Sequence, residues 1–268
     1  MRIMSDGYVG KAADAGEIRA DQLFCLLTRF NMPITGFRAP QSNVEKAAWE
    51  TARIPIFRKL TLQSIIRQTR RPDLWLIGFD ANRKKEMAPL IEELSAFSWI
   101  VPVWSDQAEE GDLGYSSCFA KRICDYLSYD FNHVVTCRVD NDDALHTDYI
   151  HSIGRYTTQL ENVSDEWLSF PFGAQYAEGE AHVHIYPSSP FLSRIESRKV
   201  YEHSFRGRTA LFGNHNKVFG RGRVHQIFTE DPMWLMNMHG GNAINALNRS
   251  LPALTVDHKF LYYFGMHN

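Results

Sequence analysis

Short apolar runs alternate with amphipathic stretches through the first half of the chain. Leu23-Phe-Cys-Leu-Leu-Thr28 passes into the polar Thr28-Arg29-Phe30-Asn31 and then Met32-Pro33, the pattern of a buried strand running into a loop. Residues 34–50 read as an irregular loop or a short helix. Phe57, Leu60, Ile65 and Ile66 then mark one face of a helix ending near Gln68, closed by Arg71-Pro72. A second apolar run, Leu74-Trp-Leu-Ile-Gly-Phe79, stops at Asp80, after which Met87, Leu90, Ile91, Leu94 and Phe97 recur at helical spacing. A third strand is expected over residues 99–104, a loop over 111–114, a helical stripe at Phe119, Ile123 and Leu127, and a fourth strand over 133–139.

Strands separated by helices imply right-handed crossovers and a mainly parallel sheet, and such sheets bind ligands at the carboxyl ends of their strands. The expected fold is therefore α/β, a Rossmann-like sheet flanked by helices in a single domain. Asp80 and the cluster Asp140-Asn141-Asp142-Asp143 both fall at predicted strand ends. The second half is less regular. Tyr149, Ile150, Ile153, Tyr156 and Leu160 suit a helix, residues 167–172 a strand, and 182–186 an alternating strand.

Composition narrows the class. A chain of 268 residues with 44% hydrophobic and 22% charged residues can bury one α/β core. A net charge of −2 gives no global reason to bind nucleic acid or an anionic membrane. Residues 1–20 form a polar extension without the apolar stretch of a signal peptide, and no later run reaches the ~20 apolar residues of a membrane span. A cytoplasmic protein with no transmembrane segment is expected. The four cysteines lack metal-type spacing and read as reduced thiols.

Three carboxylates within four residues repel one another unless water or a cation compensates them. A hard divalent cation such as Mn²⁺ or Mg²⁺, completed by the phosphates of a substrate, is the economical solution; solvated loop and capping carboxylates are the alternative.

The stretch Arg138-Val-Asp-Asn-Asp-Asp-Ala-Leu145 resembles the Asp-x-Asp motif of nucleotide-sugar glycosyltransferases with the A-type fold. It is closely similar to a family of rhamnosyl transferases, with support from Leu62-Gln-Ser-Ile-Ile-Arg-Gln68, Arg71-Pro72, Pro232-Met-Trp-Leu235 and His239-Gly-Gly-Asn242. The resemblance extends from Leu23 to about Asn248. It implies a catalytic domain over 21–268, with a nucleotide-sugar-binding half (21–145) and an acceptor-side half (146–268). It further implies that Asp140 and Asp142, supported by Asp143, handle the metal and the donor diphosphate, and that His239 adds a third metal or diphosphate contact. Thr28, Arg29 and Asp80 would lie beside the nucleoside. Arg138 would neutralise phosphate or form a structural ion pair.

A glycosyl transfer needs a base for the acceptor hydroxyl and positive charge near the leaving group. Thr229-Glu230-Asp231 resembles a Thr-Glu-Asp segment of inverting glycosyltransferases, which implies Asp231 as base with Glu230 orienting it. Asp231-Pro232 also reads as the cap and first residue of a helix through Trp234 and Met236. Arg206, Arg208, Arg221 and Arg223 would line an anionic groove or sit in solvated loops. The implied partners are a nucleotide-sugar donor and a glycan, lipid-linked or small-molecule acceptor. A nucleotidyltransferase, a phosphohydrolase and a non-catalytic carbohydrate-binding relative are the competing functions, and no Walker-type glycine-rich loop supports the first two.

Overall fold

A computed structural model describes residues 20–33, 42–106, 114–160, 163, 165–204, 208–240 and 247–267. Residues 1–19 of the expected extension, most of the 111–114 loop, Arg206 and the Gly241-Asn242 pair lie outside the described residues.

The strands expected in the first half form as β1 (Gln22–Arg29), β2 (Leu74–Asp80), β3 (Ile100–Ser105) and β4 (His133–Arg138), all parallel, in the spatial order β3-β2-β1-β4. Side chains alternate between two buried layers, as strands covered on both faces require. Phe24 and Leu26 of β1, Trp75, Ile77 and Phe79 of β2, and Val135 and Cys137 of β4 face one layer. Leu23, Cys25, Leu27, Leu74, Leu76 and Val134 face the other.

Of the stretch 34–50, expected as a loop or a short helix, the described part is helical, and the helix α1 (Asn43–Ile56) runs on past it. Ser42 and Glu45 form a reciprocal capping box, which satisfies backbone groups at the helix start. A π-helical turn, Phe57–Thr61, leads without a break into α2 (Leu62–Ile66). Helices α3 (Lys84–Leu94) and α4 (Gly114–Cys124) complete the crossovers.

Beyond β4 the topology departs from a simple parallel sheet. After β5 (Ala144–Leu145) and α5 (Tyr149–Thr157), the strand expected over 167–172 divides at Phe170-Pro171 into β6 (Asp165–Ser169) and β7 (Phe172–Ala177), which join different sheets. β8 (Glu180–Ile185) is antiparallel to β7, and β9 (Ser193–Ser197) inserts antiparallel between β4 and β6. After α6 (Arg198–Ser204) come β10 (Val224–Gln226), beside β6, and β11 (Trp234–Asn237). The helix expected from Asp231-Pro232 is thus a strand. β11 runs between β5 and β7, where Trp234 and Leu235 lie fully buried, and that pairing outweighs the local capping signal. β12 (Ala253–Leu254) ends the small sheet and α7 (His258–Tyr263) packs against it. The protein is a single mixed α/β domain with a seven-stranded sheet, one strand of it reversed, and a second, five-stranded sheet.

Among the described residues no helix is long and apolar enough to cross a membrane. All four cysteines are free thiols.

Candidate functional site

In a sheet ordered β3-β2-β1-β4, the chain runs outward from β1 to β3 and then crosses to β4 on the other side of β1. At such a switch point open α/β sheets place their ligand crevice, outside the carboxyl ends of β1 and β4. The residues leaving those two ends are Arg29-Phe30-Asn31 and Asp140-Asn141-Asp142-Asp143. Asn141 ties them together, its Nδ2 donating to the Arg29 carbonyl at 3.0 Å and the Phe30 carbonyl at 2.5 Å.

Each carboxylate has its own environment. Asp140 Oδ1 receives Arg29 Nη2 at 3.3 Å and Arg138 Nη2 at 3.5 Å. Burial acts to raise its pKa, but the two guanidinium groups outweigh it and hold the pKa at about 2. Asp142 Oδ2 pairs with Arg53 Nη1 and lies 3.0 Å from His239 Nε2. Asp143 is buried, and its Oδ1 receives the Asn237 amide at 3.0 Å. Burial, together with the charges of Asp142 and Asp140, pushes its pKa well above the usual carboxylate range. Asp143 is therefore a tie between the acidic loop and β11.

The π-turn supports this loop from below. Thr61 Oγ1 donates to the Asp143 carbonyl at 2.7 Å. Upstream on α1, Lys46, Glu50 and Arg53 are spaced four and three apart and so share one helical face. Arg53 reaches Asp142 and lies over the Trp49 ring at 5.0 Å. Glu50 forms a two-pronged buried pair with Arg83, at 3.1 and 2.6 Å, and accepts from Asn31 at 2.7 Å. Lys46 Nζ is 3.0 Å from Asp80 Oδ2. Sequence reasoning missed these three residues. The Ser42-x-x-Glu45 signature and the shared spacing carry the signal that finds them.

The structure thus brings together Arg29, Arg138, Asp140, Asp142, Asp143 and His239, with Asp80 beside them at the end of β2. Asp80 is almost wholly buried, and its other oxygen caps Asn82 at 2.9 Å. Thr28 points into the core, where its hydroxyl accepts from Trp75 Nε1 at 2.9 Å.

Glu230 and Asp231 are not brought to this set. Asn237 meets Asp143 at one end of β11, while the His146 amide meets the Met233 carbonyl at the other, four residues or about 13 Å away along an extended chain. Asp231 lies beyond Met233, 3.5 Å from Lys259 Nζ, and Glu230 is exposed. Arg208 and Arg223 are exposed, and Arg221 donates to the Phe212 and Asn214 carbonyls at 3.0 and 2.8 Å.

A divalent cation can be tested against this donor set. Among the described residues no group of three or more His, Cys, Asp or Glu is arranged to hold a metal ion. Asp140 Oδ2 and Asp142 Oδ1, however, have no protein partner among those residues, because the guanidinium groups take the opposite oxygens. Two carboxylate oxygens suit a hard cation whose shell is completed by water and substrate phosphates. Asp143 and the His239 Nε2 atom are engaged elsewhere.

Residues 24–249 match the model of a family described as "Putative rhamnosyl transferase". No curated protein is significantly similar to the chain. Among solved structures, HddC from Yersinia pseudotuberculosis, complexed with GMP-PN, is 10% identical with a TM-score of 0.42, covering 78% of this chain and 91% of its own. The 4-diphosphocytidyl-2C-methyl-D-erythritol synthase of Anaerococcus prevotii is 10% identical with a TM-score of 0.37, over 86% and 94%. Mouse xyloside xylosyltransferase 1, in its apo form, is 10% identical with a TM-score of 0.34, over 76% and 84%. Matching the family model from residue 24 to residue 249, well over half its length, the chain belongs to the "Putative rhamnosyl transferase" family and is a transferase.

Proposed function

We propose that the protein transfers a sugar, rhamnose by the family description, from a nucleoside-diphosphate donor to a hydroxyl of a glycan, lipid-linked or small-molecule acceptor, with inversion at the anomeric carbon. The observation that carries this reading is the pairing of Asp140 and Asp142 with Arg29, Arg138 and Arg53 at the crevice between β1 and β4. A departing diphosphate needs fixed positive charge, and guanidinium groups already locked by carboxylates supply it without reorganising.

The face of α1 supports the orientation of the donor. Lys46 and Arg53 are seven residues, about 10 Å, apart on one helix, a separation on the scale of a nucleoside diphosphate. The nucleoside would lie towards Lys46 and Asp80, and the diphosphate towards Arg53, Arg29 and Arg138. Asp140 Oδ2 and Asp142 Oδ1 would hold a Mn²⁺ or Mg²⁺ ion, whose contribution when bound is to neutralise charge on the leaving diphosphate. Asp143 positions the loop through Asn237, and His239 steadies the Asp142 and Arg53 pair.

A nucleotidyltransferase would break a different bond, and the products tell the two apart. Incubated with dTDP-rhamnose, UDP-glucose or GDP-mannose and a simple glycoside acceptor, the protein is expected to release the nucleoside diphosphate of one donor. Release of nucleoside monophosphate or sugar phosphate, followed by chromatography, would contradict glycosyl transfer.

A further inference from the structure

Glycosyl transfer to a hydroxyl needs a base, and Asp231 lies beyond the far end of β11. One histidine outside the acidic loop has the required chemistry. His215 opens a short 3-10 turn, His215–Gly220. Its Nδ1 lies 2.6 Å from the Ser188 carbonyl, which can only accept, so Nδ1 carries the hydrogen and Nε2 keeps its lone pair. Nε2 has no protein partner among the described residues.

Position follows from the sheet. Ser188 lies in the loop entering β9, and the Leu192 carbonyl of the same loop receives the Arg138 amide at 3.2 Å. Because β9 is reversed, that loop stands at the carboxyl edge of β4, beside Asp140. The segment carrying His215 is anchored. Glu196 accepts from the Arg208 and Thr209 amides at 3.1 Å each, Thr136 Oγ1 from the Ala210 amide at 2.8 Å, and Asn214 caps Asn216 at 2.9 Å. The Tyr186 ring packs edge-on to His215 at 5.8 Å, and its hydroxyl donates to Asn216. The charged groups acting on His215 are Arg138, Asp140 and Arg29. Burial lowers its pKa, the Ser188 bond and Asp140 oppose that, and the two arginines reinforce it, so that the ring is neutral near pH 7.

We propose that His215 Nε2 is the base that deprotonates the acceptor hydroxyl. The inference rests on the glycosyl-transfer reading above. The acceptor O–H bond breaks and its proton passes to Nε2. The acceptor oxygen bonds to the anomeric carbon, whose bond to the diphosphate oxygen breaks, the electron pair leaving with the nucleoside diphosphate. The imidazolium then returns its proton to water.

The test compares wild type with His215→Asn, whose amide can still donate to the Ser188 carbonyl, and with His215→Gln. Folding is checked by thermal melts, affinity for UDP, GDP and dTDP by calorimetry, and turnover by nucleoside diphosphate release from the donor that is active with wild type. Both variants are expected to bind nucleotide within about threefold of wild type and to turn over about 10²- to 10⁴-fold more slowly. The acidic limb of the wild-type pH profile, expected below the ordinary histidine value of about 6.5, should vanish with them. A folded variant with wild-type turnover and an unchanged limb overturns the assignment of His215 alone. Wild type that binds none of the nucleotides and releases no nucleoside diphosphate overturns the glycosyl-transfer reading, and the base with it.

Discussion

Arg53→Ala is expected to destabilise the fold by about 3–5 kcal/mol and to weaken nucleoside diphosphate binding at least 100-fold. Arg53 is buried, its guanidinium pairs with Asp142, lies 3.3 Å from His239 Nε2 and packs over Trp49. Alanine leaves the half-buried Asp142 carboxylate beside the His239 ring and next to Asp140 and Asp143, and breaking such a pair costs more than the pair contributes. The double variant Arg53→Leu with Asp142→Leu separates the two consequences. Removing both charges is expected to restore most of the stability and none of the binding. Urea unfolding and calorimetry read the two effects. A loss under about 1 kcal/mol, with binding unchanged, would mean that the pair is an ordinary surface contact.

Trp234→Ala is the second large effect, and it reaches the site through the backbone. Trp234 is fully buried, donates to the Phe170 carbonyl at 2.7 Å, stacks on Phe191 at 4.9 Å and meets the His184 ring at 5.6 Å. It lies so close over Gly173 that a Cβ there would fall 2.1 Å from the ring. Deleting such a side chain leaves a cavity in a close-packed core and costs about 3–5 kcal/mol. Three residues along the same strand, the Asn237 amide holds Asp143, so nucleotide binding should weaken as well. The expected result is a lower urea midpoint at an unchanged slope, with a weaker nucleotide affinity. A midpoint within error of wild type would remove the link between β11 and the acidic loop.

These two residues also mark the limits of what the sequence discloses. The first four strands were legible because each is an apolar run ended by polar residues, and the acidic cluster was legible because no strand interior tolerates it. Their meeting at one crevice follows from strand order, which alternating strands and helices already suggest. Arg53 was not legible as a site residue. Its contact with Asp142 spans 89 positions, and it lies between the stretch 34–50, expected as a loop or a short helix, and the helical face that begins at Phe57, where Trp49, Ile54 and Ile56 give only a thin apolar stripe. Around Trp234 the sequence predicts a helix because Asp231-Pro232 is a strong local cap signal, whereas pairing with β5 and β7 is non-local and leaves no trace in a short window. Asp231 is implied as base by the resemblance of Thr229-Glu230-Asp231 and not by that helix pattern; it lies 3.5 Å from Lys259 Nζ. His215 carried no signal in its own neighbourhood; only the reversed β9 brings Ser188, and hence His215, to the edge occupied by Arg138.

The carboxylates and guanidinium groups between β1 and β4 are proposed to bind a nucleoside diphosphate. Calorimetric titration of the protein with UDP, GDP and dTDP, each in Mn²⁺, in Mg²⁺ and in EDTA, tests it most directly. One nucleoside diphosphate is expected to bind, EDTA to weaken its binding, and Asp142→Ala to abolish the metal dependence. Silence across the panel, or binding to Asp142→Ala as tight and as metal-dependent as to wild type, would contradict it.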